Sequence, residues 1–274
     1  MTMPLLTADE LERMSPLFKG RLGKAIADGL MHVLSVDEVN DLYDRHKDQR
    51  GVDFADAVLK DVGVGHVLSM LPTLPDGPFI TVSNHPCGHL DGVLLIDIFG
   101  HIRQDYKVMV NGVLSRIEPL KENFISVTPV GNDRGMPTAV SIKGVKEALV
   151  HLRSGGALGL FPAGAVSDLS IRDGCVRDRQ WQEPVIRLIM KAGVPVVPVR
   201  FFDGNSFLYY ALGCMGWRVR LLRLPAEVFN KRGRKIRVGI GPVVTPEQIA
   251  GFGNDVLALR DYLRSCVYDM DWPD

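Results

Sequence analysis

The residues most suited to chemistry lie in the stretch SNHPCGHLDG, residues 83 to 92. Histidine is the usual general base near neutral pH, because its pKa lies close to that range. A carboxylate on the other ring nitrogen fixes the tautomer and stabilises the imidazolium as it forms. We therefore predict that His85 takes a proton from a hydroxyl group and that Asp91 orients it. Pro86 and Gly88 predict a tight loop that folds Asp91 back towards the imidazole.

The same stretch allows other chemistries. His85, His89 and Asp91 could bind a metal ion in a metal-dependent hydrolase, although Pro86 disfavours the helix that would align the two histidines. Cys87, beside two histidines, could act as a nucleophile. In a purely structural reading, His85 bonds local backbone and Asp91 caps the following helix. A non-catalytic lipid-binding module stays open as well, because a fold does not fix a function.

A second candidate motif is FPAGAVS, residues 161 to 167, directly after the apolar run ALGL. Phe161, Pro162 and Gly164 predict a turn whose backbone amides face the site and could stabilise an oxyanion. A glycine in this turn lets a substrate approach the backbone closely. The alternative is an ordinary strand-to-loop turn. The pairing with the first motif favours the functional interpretation.

Strand and helix patterns alternate around these motifs. The β-branched run FITVSN ends at Asn84 and the run ALGLF ends at Phe161, so each motif follows a predicted strand. Helices are predicted at about 91–102, 138–152 and 181–192. The sequence therefore predicts an α/β fold with a mainly parallel sheet flanked by helices. In such sheets ligands bind outside the carboxyl ends of the strands, where both motifs lie.

The two ends of the chain have their own patterns. Residues 1–75 predict an N-terminal helical segment, and residues 76–274 form the main domain. The run KIRVGI alternates basic and apolar residues, as a half-exposed edge strand does. The sequence TPEQ, with Pro246 at the first helical position, is a capping-box pattern that opens a closing helix bearing Val256.

Composition argues against several classes of protein. Lys plus Arg and Asp plus Glu both total 32, so net charge gives no support for nucleic acid as a partner. The four cysteines are widely scattered, which suits neither a disulfide scaffold nor a metal-ligand pattern, and we expect no metal and no cofactor. The N-terminal residues do not resemble a signal peptide, and the apolar run 93–99 is too short to span a membrane. We therefore expect a cytoplasmic protein.

Basic residues are concentrated between Trp217 and Arg237, where eight stand against a single acidic residue, Glu227. The eight are Arg218, Arg220, Arg223, Lys231, Arg232, Arg234, Lys235 and Arg237. Interleaved apolar residues favour an anionic membrane surface as the partner, so we expect peripheral membrane association. The amphipathic segment 18–34 supports this expectation. A solvated basic edge is the alternative.

The motifs together resemble the glycerolipid and lysophospholipid acyltransferases. The first motif of that family is Asn-His, four residues, then Asp, and the third is close to Phe-Pro-Glu-Gly-Thr-Arg-Ser. Here they read NHPCGHLD and FPAGAVS, and VPVVPV resembles the fourth motif, so the resemblance covers roughly residues 75–245. It implies transfer of a fatty acyl group from acyl-CoA or acyl carrier protein to the hydroxyl of a lipid acceptor. In that reaction His85 is the base and Asp91 orients it, within an acyltransferase domain at 76–274.

Two departures narrow the resemblance. Five residues separate His85 from Asp91, which is the NHPxGxxD spacing of a hemolysin-like branch that also carries FPAG. The family's Glu and Arg of the third motif, which help to bind the acceptor, are Ala163 and Val166 here. A phosphate-bearing acceptor therefore loses support. A lyso-aminolipid, such as an acylated amino acid, is as well supported as a lysophospholipid.

Carried over residue by residue, the resemblance also implies a substrate-binding set. Arg134, in the loosely matched second motif FISVTPVGNDRG, would bind a phosphate. The other members are Asn84, Gly88, Phe161, Pro162, Ala163, Gly164 and Ser167.

Overall fold

The computed structural model describes residues 35–69, 72–111, 114, 117–127, 142–170, 174–215 and 217–273. The predicted amphipathic segment 18–34 and the candidate phosphate ligand Arg134 lie outside these residues. Within them, no helix is long and apolar enough to cross a lipid bilayer.

Seven strands form one twisted sheet in the order β1-β9-β8-β2-β5-β3-β4, and β6 pairs with β7 in a separate hairpin. β2 lies between β5 and β8 and is parallel to both. β9 runs antiparallel to β8. The predicted α/β fold with a mainly parallel sheet is confirmed. The strands are β1 (Gly65–Leu68), β2 (Phe79–Ser83), β3 (Lys107–Asn111), β4 (Phe124–Val127), β5 (Ala157–Leu160), β6 (Asp168–Ser170), β7 (Cys175–Arg177), β8 (Val196–Phe201) and β9 (Lys235–Ile240).

Helices cover both faces of the sheet. β2 is fully buried, and its alternate residues enter different apolar clusters: Phe79 packs on one face, and Ile80 and Val82 pack on the other. This double burial explains why β2 has an almost continuous apolar sequence. The helices are α1 (Val36–His46), α2 (Gly51–Val62), α3 (His89–Gly100), α4 (Ile142–Arg153), α5 (Glu183–Ala192), α6 (Phe207–Met215), α7 (Trp217–Leu222), α8 (Leu224–Phe229), α9 (Pro246–Ala250) and α10 (Val256–Tyr268).

Three predictions about individual elements are wrong. The run KIRVGI forms β9 and is not an edge strand, because β9 lies between β8 and β1. β1 itself forms within the segment 1–75, where a helix is predicted. The alternation that suggested an edge comes from two exposed side chains, Lys235 and Arg237, at the start of β9. The capping box at Thr245 is present, but it opens only the short helix α9. The helix bearing Val256 has its own N-cap, Asp255, whose side chain accepts a 2.9 Å hydrogen bond from the amide of Ala258.

Candidate active site

The segment that joins β2 to the first turn of α3, residues 84–91, is called the His85 loop below. It starts at Asn84, whose buried side-chain amide is clamped by the backbone of Phe201 at the end of β8. Nδ2 of Asn84 donates to the carbonyl of Phe201, and Oδ1 accepts from its amide, both at 2.8 Å. The clamp fixes the start of the loop against the neighbouring strand.

His85 and Asp91 meet within this loop. Nδ1 of His85 lies 3.0 Å from Oδ2 of Asp91, which is fully buried, whereas the His85 side chain is 17% exposed. Asp91 is the third residue of α3, and its Oδ2 also accepts a 2.8 Å hydrogen bond from the amide of Cys87. The same carboxylate therefore closes the loop and orients the ring. Since Nδ1 faces the carboxylate, Nε2 is the ring atom left with a lone pair for an incoming hydroxyl.

The two sequence motifs are in contact at His85. The ring of Phe161 packs on the imidazole with centroids 4.0 Å apart and planes inclined by 31°. The amide of Ser167 donates to the carbonyl of His85 at 2.9 Å. Phe161 thus packs against the face of the His85 ring, and Ser167 is hydrogen-bonded to the His85 backbone.

Asp178 is hydrogen-bonded to a residue of each motif and was not predicted from the sequence. Its Oδ1 accepts a 2.6 Å hydrogen bond from Oγ of Ser167 and a 3.2 Å bond from the amide of His85. Its Oδ2 accepts from the indole of Trp181 at 3.0 Å. Burial raises the pKa of Asp178, and the hydrogen bonds from Ser167 and Trp181 oppose that rise. No local pattern marks Asp178, because it lies 93 residues from His85.

The FPAG turn is held by Gln182. The amide of Gly164 donates to the carbonyl of Phe161 at 2.9 Å, and Gln182 bonds the carbonyls of Pro162 and Ala163 at 2.9 and 3.1 Å. Gly164 has φ +65°, and a Cβ there would lie 2.1 Å from Nε2 of Gln182. The turn therefore requires glycine. Because the Gly164 amide is used inside the turn, it is not free to stabilise an oxyanion.

Comparison with known proteins identifies the family of this chain. An acyltransferase family model matches residues 14–266. The chain belongs to this acyltransferase family. It is 28% identical over 257 residues to a lyso-glycine lipid O-acyltransferase of Bacteroides thetaiotaomicron, covering 90% of each chain. It is also 28% identical over 247 residues to a protein of the same name from Phocaeicola vulgatus, covering 83% of this chain and 85% of that one. The crystal structure of the 1-acyl-sn-glycerophosphate acyltransferase PlsC from Thermotoga maritima gives a TM-score of 0.48 at 20% identity, covering 81% of this chain and 84% of that one.

In this acyltransferase the third motif is apolar where the family pattern is charged. Ala163 and Val166 are both buried, and Val166 packs with Leu224. A guanidinium that contacts this motif belongs to Arg220 of α7, which is itself buried. It bonds the carbonyls of Ser167 and Val166 at 3.2 and 3.0 Å and pairs with a carboxylate, Asp168. Arg220 thus stabilises the fold and is not available to a ligand.

The alternative chemistries find little support in the acyltransferase site. Cys87 is buried and donates its thiol to the carbonyl of Asp203, and burial raises its pKa well above the usual value, which disfavours a thiolate nucleophile. The described residues contain no group of three His, Cys, Asp or Glu side chains placed to hold a metal ion. His89 has an exposed edge, yet the protein around it and the charge of His85 lower its pKa to about 4, so its ring is neutral near pH 7.

Gly88 provides a first test of the loop, because its backbone has φ +70° and ψ −130°. A Cβ there would lie 2.8 Å from Cδ2 of Leu224 and 3.4 Å from Cγ2 of Val166. We expect Gly88→Ala to lower the free energy of unfolding by about 1–3 kcal/mol and to lower kcat, since the His85 loop must shift. Urea denaturation and steady-state kinetics measure the two effects.

The matched control is Gly92→Ala, four residues further along, inside α3. A Cβ there meets nothing within 4 Å, and alanine favours a helix over glycine by up to about 1 kcal/mol. This variant should be as stable as the wild type or more so. Equal losses in the two variants would show that Gly88 has no special role.

Proposed function

We propose that this acyltransferase moves a fatty acyl group from an acyl thioester to the hydroxyl of a lysolipid or lyso-aminolipid, with His85 as general base and Asp91 as its orienting carboxylate. The observation that carries the proposal is the 3.0 Å contact between Nδ1 of His85 and the buried carboxylate of Asp91. It leaves Nε2 as the basic atom of a half-buried ring. An alcohol is a weak nucleophile near neutral pH, and such a base is what the reaction needs.

The reaction proceeds in two proton transfers. Nε2 of His85 takes the acceptor's hydroxyl proton as its oxygen attacks the thioester carbonyl, and Asp91 stabilises the imidazolium that forms. The tetrahedral intermediate then collapses, the C–S bond breaks, and the imidazolium returns the proton to the departing sulfur. The products are an ester and a free thiol. Acyl-CoA and acyl carrier protein both present such a thioester, and both are proposed donors.

The acceptor proposal rests on the relatives and on the third motif. Two relatives are lyso-glycine lipid O-acyltransferases, and the positions that would be Glu and Arg are the buried residues Ala163 and Val166. Both observations favour an acylated amino acid over a lysophosphatidic acid. The test incubates the purified protein with either thioester and each acceptor and detects the O-acylated product by mass spectrometry. Absence of product with every combination would favour a non-catalytic lipid-binding module.

We also propose that a cytoplasmic membrane surface is where the acceptor is met. The basic stretch has fewer exposed cations than the sequence suggests, because Arg220 and Lys231 are buried. Arg223 lies 3.4 Å from the carboxylate of Glu227, and Arg237 pairs with Asp203 at 3.0 Å. The side chain of Arg218 lies outside the described set. Among the described basic side chains of this stretch, the exposed Arg232, Arg234 and Lys235 remain, and they form what is called the basic surface below. At the start of α6, two residues after Asn205, which accepts from Lys231, Phe207 is 80% exposed and could enter a bilayer.

Neutralising the basic surface tests membrane recruitment. Each surface-near Lys or Arg contributes about 1 kcal/mol against an anionic leaflet. Replacing Arg232, Arg234 and Lys235 with glutamine should therefore weaken binding to anionic vesicles roughly 10- to 100-fold at low salt, measured by co-sedimentation.

The control replaces three exposed cations on α4, Lys143, Lys146 and Arg153, with glutamine. It removes the same charge from another surface, and its vesicle binding should stay close to that of the wild type. Wild-type binding should also weaken as salt is added. Equal binding by both triple variants would show that the basic surface is only a solvated edge.

A further inference from the structure

A cavity of about 250 Å³ lies beside the His85 loop, at the start of β9. Since β9 is antiparallel to β8, its first residues lie beyond the carboxyl end of β8, at the same sheet edge as His85. The volume is below the roughly 300–1,000 Å³ of sites that enclose a drug-sized ligand, so it suits a small group and not an acyl chain. The lining residues are Asp203, Gly204, Lys231, Arg234, Lys235 and Ile236.

The cavity has an excess of positive charge. Its one lining carboxylate, Asp203, is engaged by Arg237, whose amide donates to it at 2.7 Å and whose side chain donates at 3.0 Å. Arg234 and Lys235 are exposed and form no ion pair with any carboxylate in the described part of the chain. Two lining cations are therefore free to bind an anion.

The third lining cation, Lys231, is built into the wall. Its side chain is 3% exposed, and Nζ donates to Oδ1 of Asn205 at 2.6 Å and to the carbonyl of Glu227 at 3.2 Å. The buried carboxylate of Glu227 lies 3.9 Å from Nζ and offsets this charge. The ammonium of Lys231 therefore stabilises the cavity wall. The net positive charge of the cavity comes from Arg234 and Lys235.

The cavity wall is in contact with the His85 loop. The carbonyl of Asp203 accepts the thiol of Cys87 at 3.3 Å, and the amide of Cys87 donates to Asp91, the partner of His85. On the other side, a Cβ at Gly204 would lie 3.8 Å from Cβ of Pro86. Asp203 and Cys87 thus connect the cavity wall to Asp91, and a ligand group in the cavity lies beside the His85 loop.

We propose that this cavity binds the anionic headgroup of the acyl acceptor, an oxyanion such as the carboxylate of an acylated amino acid. The inference rests on the proposed function. The buried Ala163 and Val166 offer an anion no charge, and Arg220 is bound to backbone carbonyls and to Asp168. Arg234 and Lys235 supply cations at the same edge of the sheet, and charge-assisted hydrogen bonds to an oxyanion are the strong ones.

The kinetic test compares two acceptors and two variants. The acceptors are a hydroxylated N-acylglycine and its uncharged glycinamide analogue. In Arg234→Ala/Lys235→Ala, the KM for the acid should rise about 10- to 100-fold, because the two exposed cations that would form charge-assisted hydrogen bonds with its carboxylate are gone. The KM for the amide and for the thioester should change less than about twofold. The control Lys143→Ala/Lys146→Ala removes two exposed cations of α4 that do not line the cavity, and it should leave all three constants near the wild type.

Several results would overturn the assignment. A rise in the KM for the thioester would place the donor's phosphate in the cavity. An equal rise in KM for the acid and the amide, or the same rise in Lys143→Ala/Lys146→Ala, would show a general charge effect. A further assay with lysophosphatidic acid as acceptor distinguishes a carboxylate from a phosphate headgroup. If the cavity accepts both oxyanions, the KM for lysophosphatidic acid should also rise in the double variant. If it accepts only a carboxylate, that KM should not change.

A binding measurement separates this inference from the proposed function. N-octanoylglycine has no hydroxyl and cannot be acylated, and its affinity can be measured by calorimetry. If wild type prefers it to N-octanoylglycinamide and the double variant does not, the cavity binds the headgroup even when no acceptor is turned over. Equal affinities for acid and amide in the wild type would refute the cavity assignment directly.

Discussion

Replacing His85 with alanine should lower kcat by roughly 10²- to 10⁴-fold, the usual contribution of one general base, while leaving the protein folded. The backbone of His85 is held independently of its ring, by Asp178 at the amide and by Ser167 at the carbonyl. The loop should therefore keep its path. Losing the ring leaves the buried Asp91 carboxylate with one donor fewer, so we expect a moderate loss of stability, about 1–3 kcal/mol. Activity with acyl-CoA and a hydroxylated N-acylglycine, together with urea denaturation, measures both effects.

Two further variants make the assignment specific. His85→Gln retains a side-chain donor for Asp91 and much of the packing against Phe161, but it has no basic nitrogen, so it should be as inactive as the alanine variant. His89→Ala should retain activity within a few-fold, because that ring is neutral near pH 7 and makes no contact with Asp91 among those described. If His89→Ala were the more damaging change, the base would have to be reassigned.

The sequence predicts the central strands of the sheet and the His85 loop, because both depend on local signals. β2 and β5 are short apolar runs that end at turn residues, and the start of α3 follows Pro86 and Gly88, as predicted. The end of α5 is also predictable, because Gly193 adopts φ +61° there. Each of these features is determined within a few residues of chain.

The features that the sequence does not predict are made by distant residues. The clamp on Asn84 joins residues 117 apart, and Asp178 reaches His85 from another loop. The burial of Arg220 and Lys231 depends on partners in separate elements, so a linear count of basic residues overstates the exposed charge. The placement of β9 inside the sheet likewise depends on β1, which no local pattern announces. Long-range contacts of this kind require the three-dimensional structure.

Replacing Asp91 with asparagine should lower kcat by roughly 10³- to 10⁴-fold with little change in the KM for the acceptor. The neutral amide cannot stabilise the imidazolium that forms when His85 takes the proton. Oδ2 of Asp91 accepts from both His85 and Cys87, so an amide nitrogen at that position would face two donors. The side chain would instead keep its oxygen there and place the NH2 group where Oδ1 now lies, a buried atom without a hydrogen-bond partner among the described residues.

The matched control is Asp97→Asn, the same change in the same helix. Asp97 is also buried and lies near two histidines, 3.3 Å from Nδ1 of His66 and 3.4 Å from Nε2 of His101, but it contacts no part of the His85 loop in the contacts described. We expect kcat within about twofold of wild type for this variant, since it removes a similar buried charge without touching His85. Steady-state kinetics on both variants decides the role of Asp91. A rise in acceptor KM with unchanged kcat in Asp91→Asn would mean that Asp91 holds the substrate and does not orient the base.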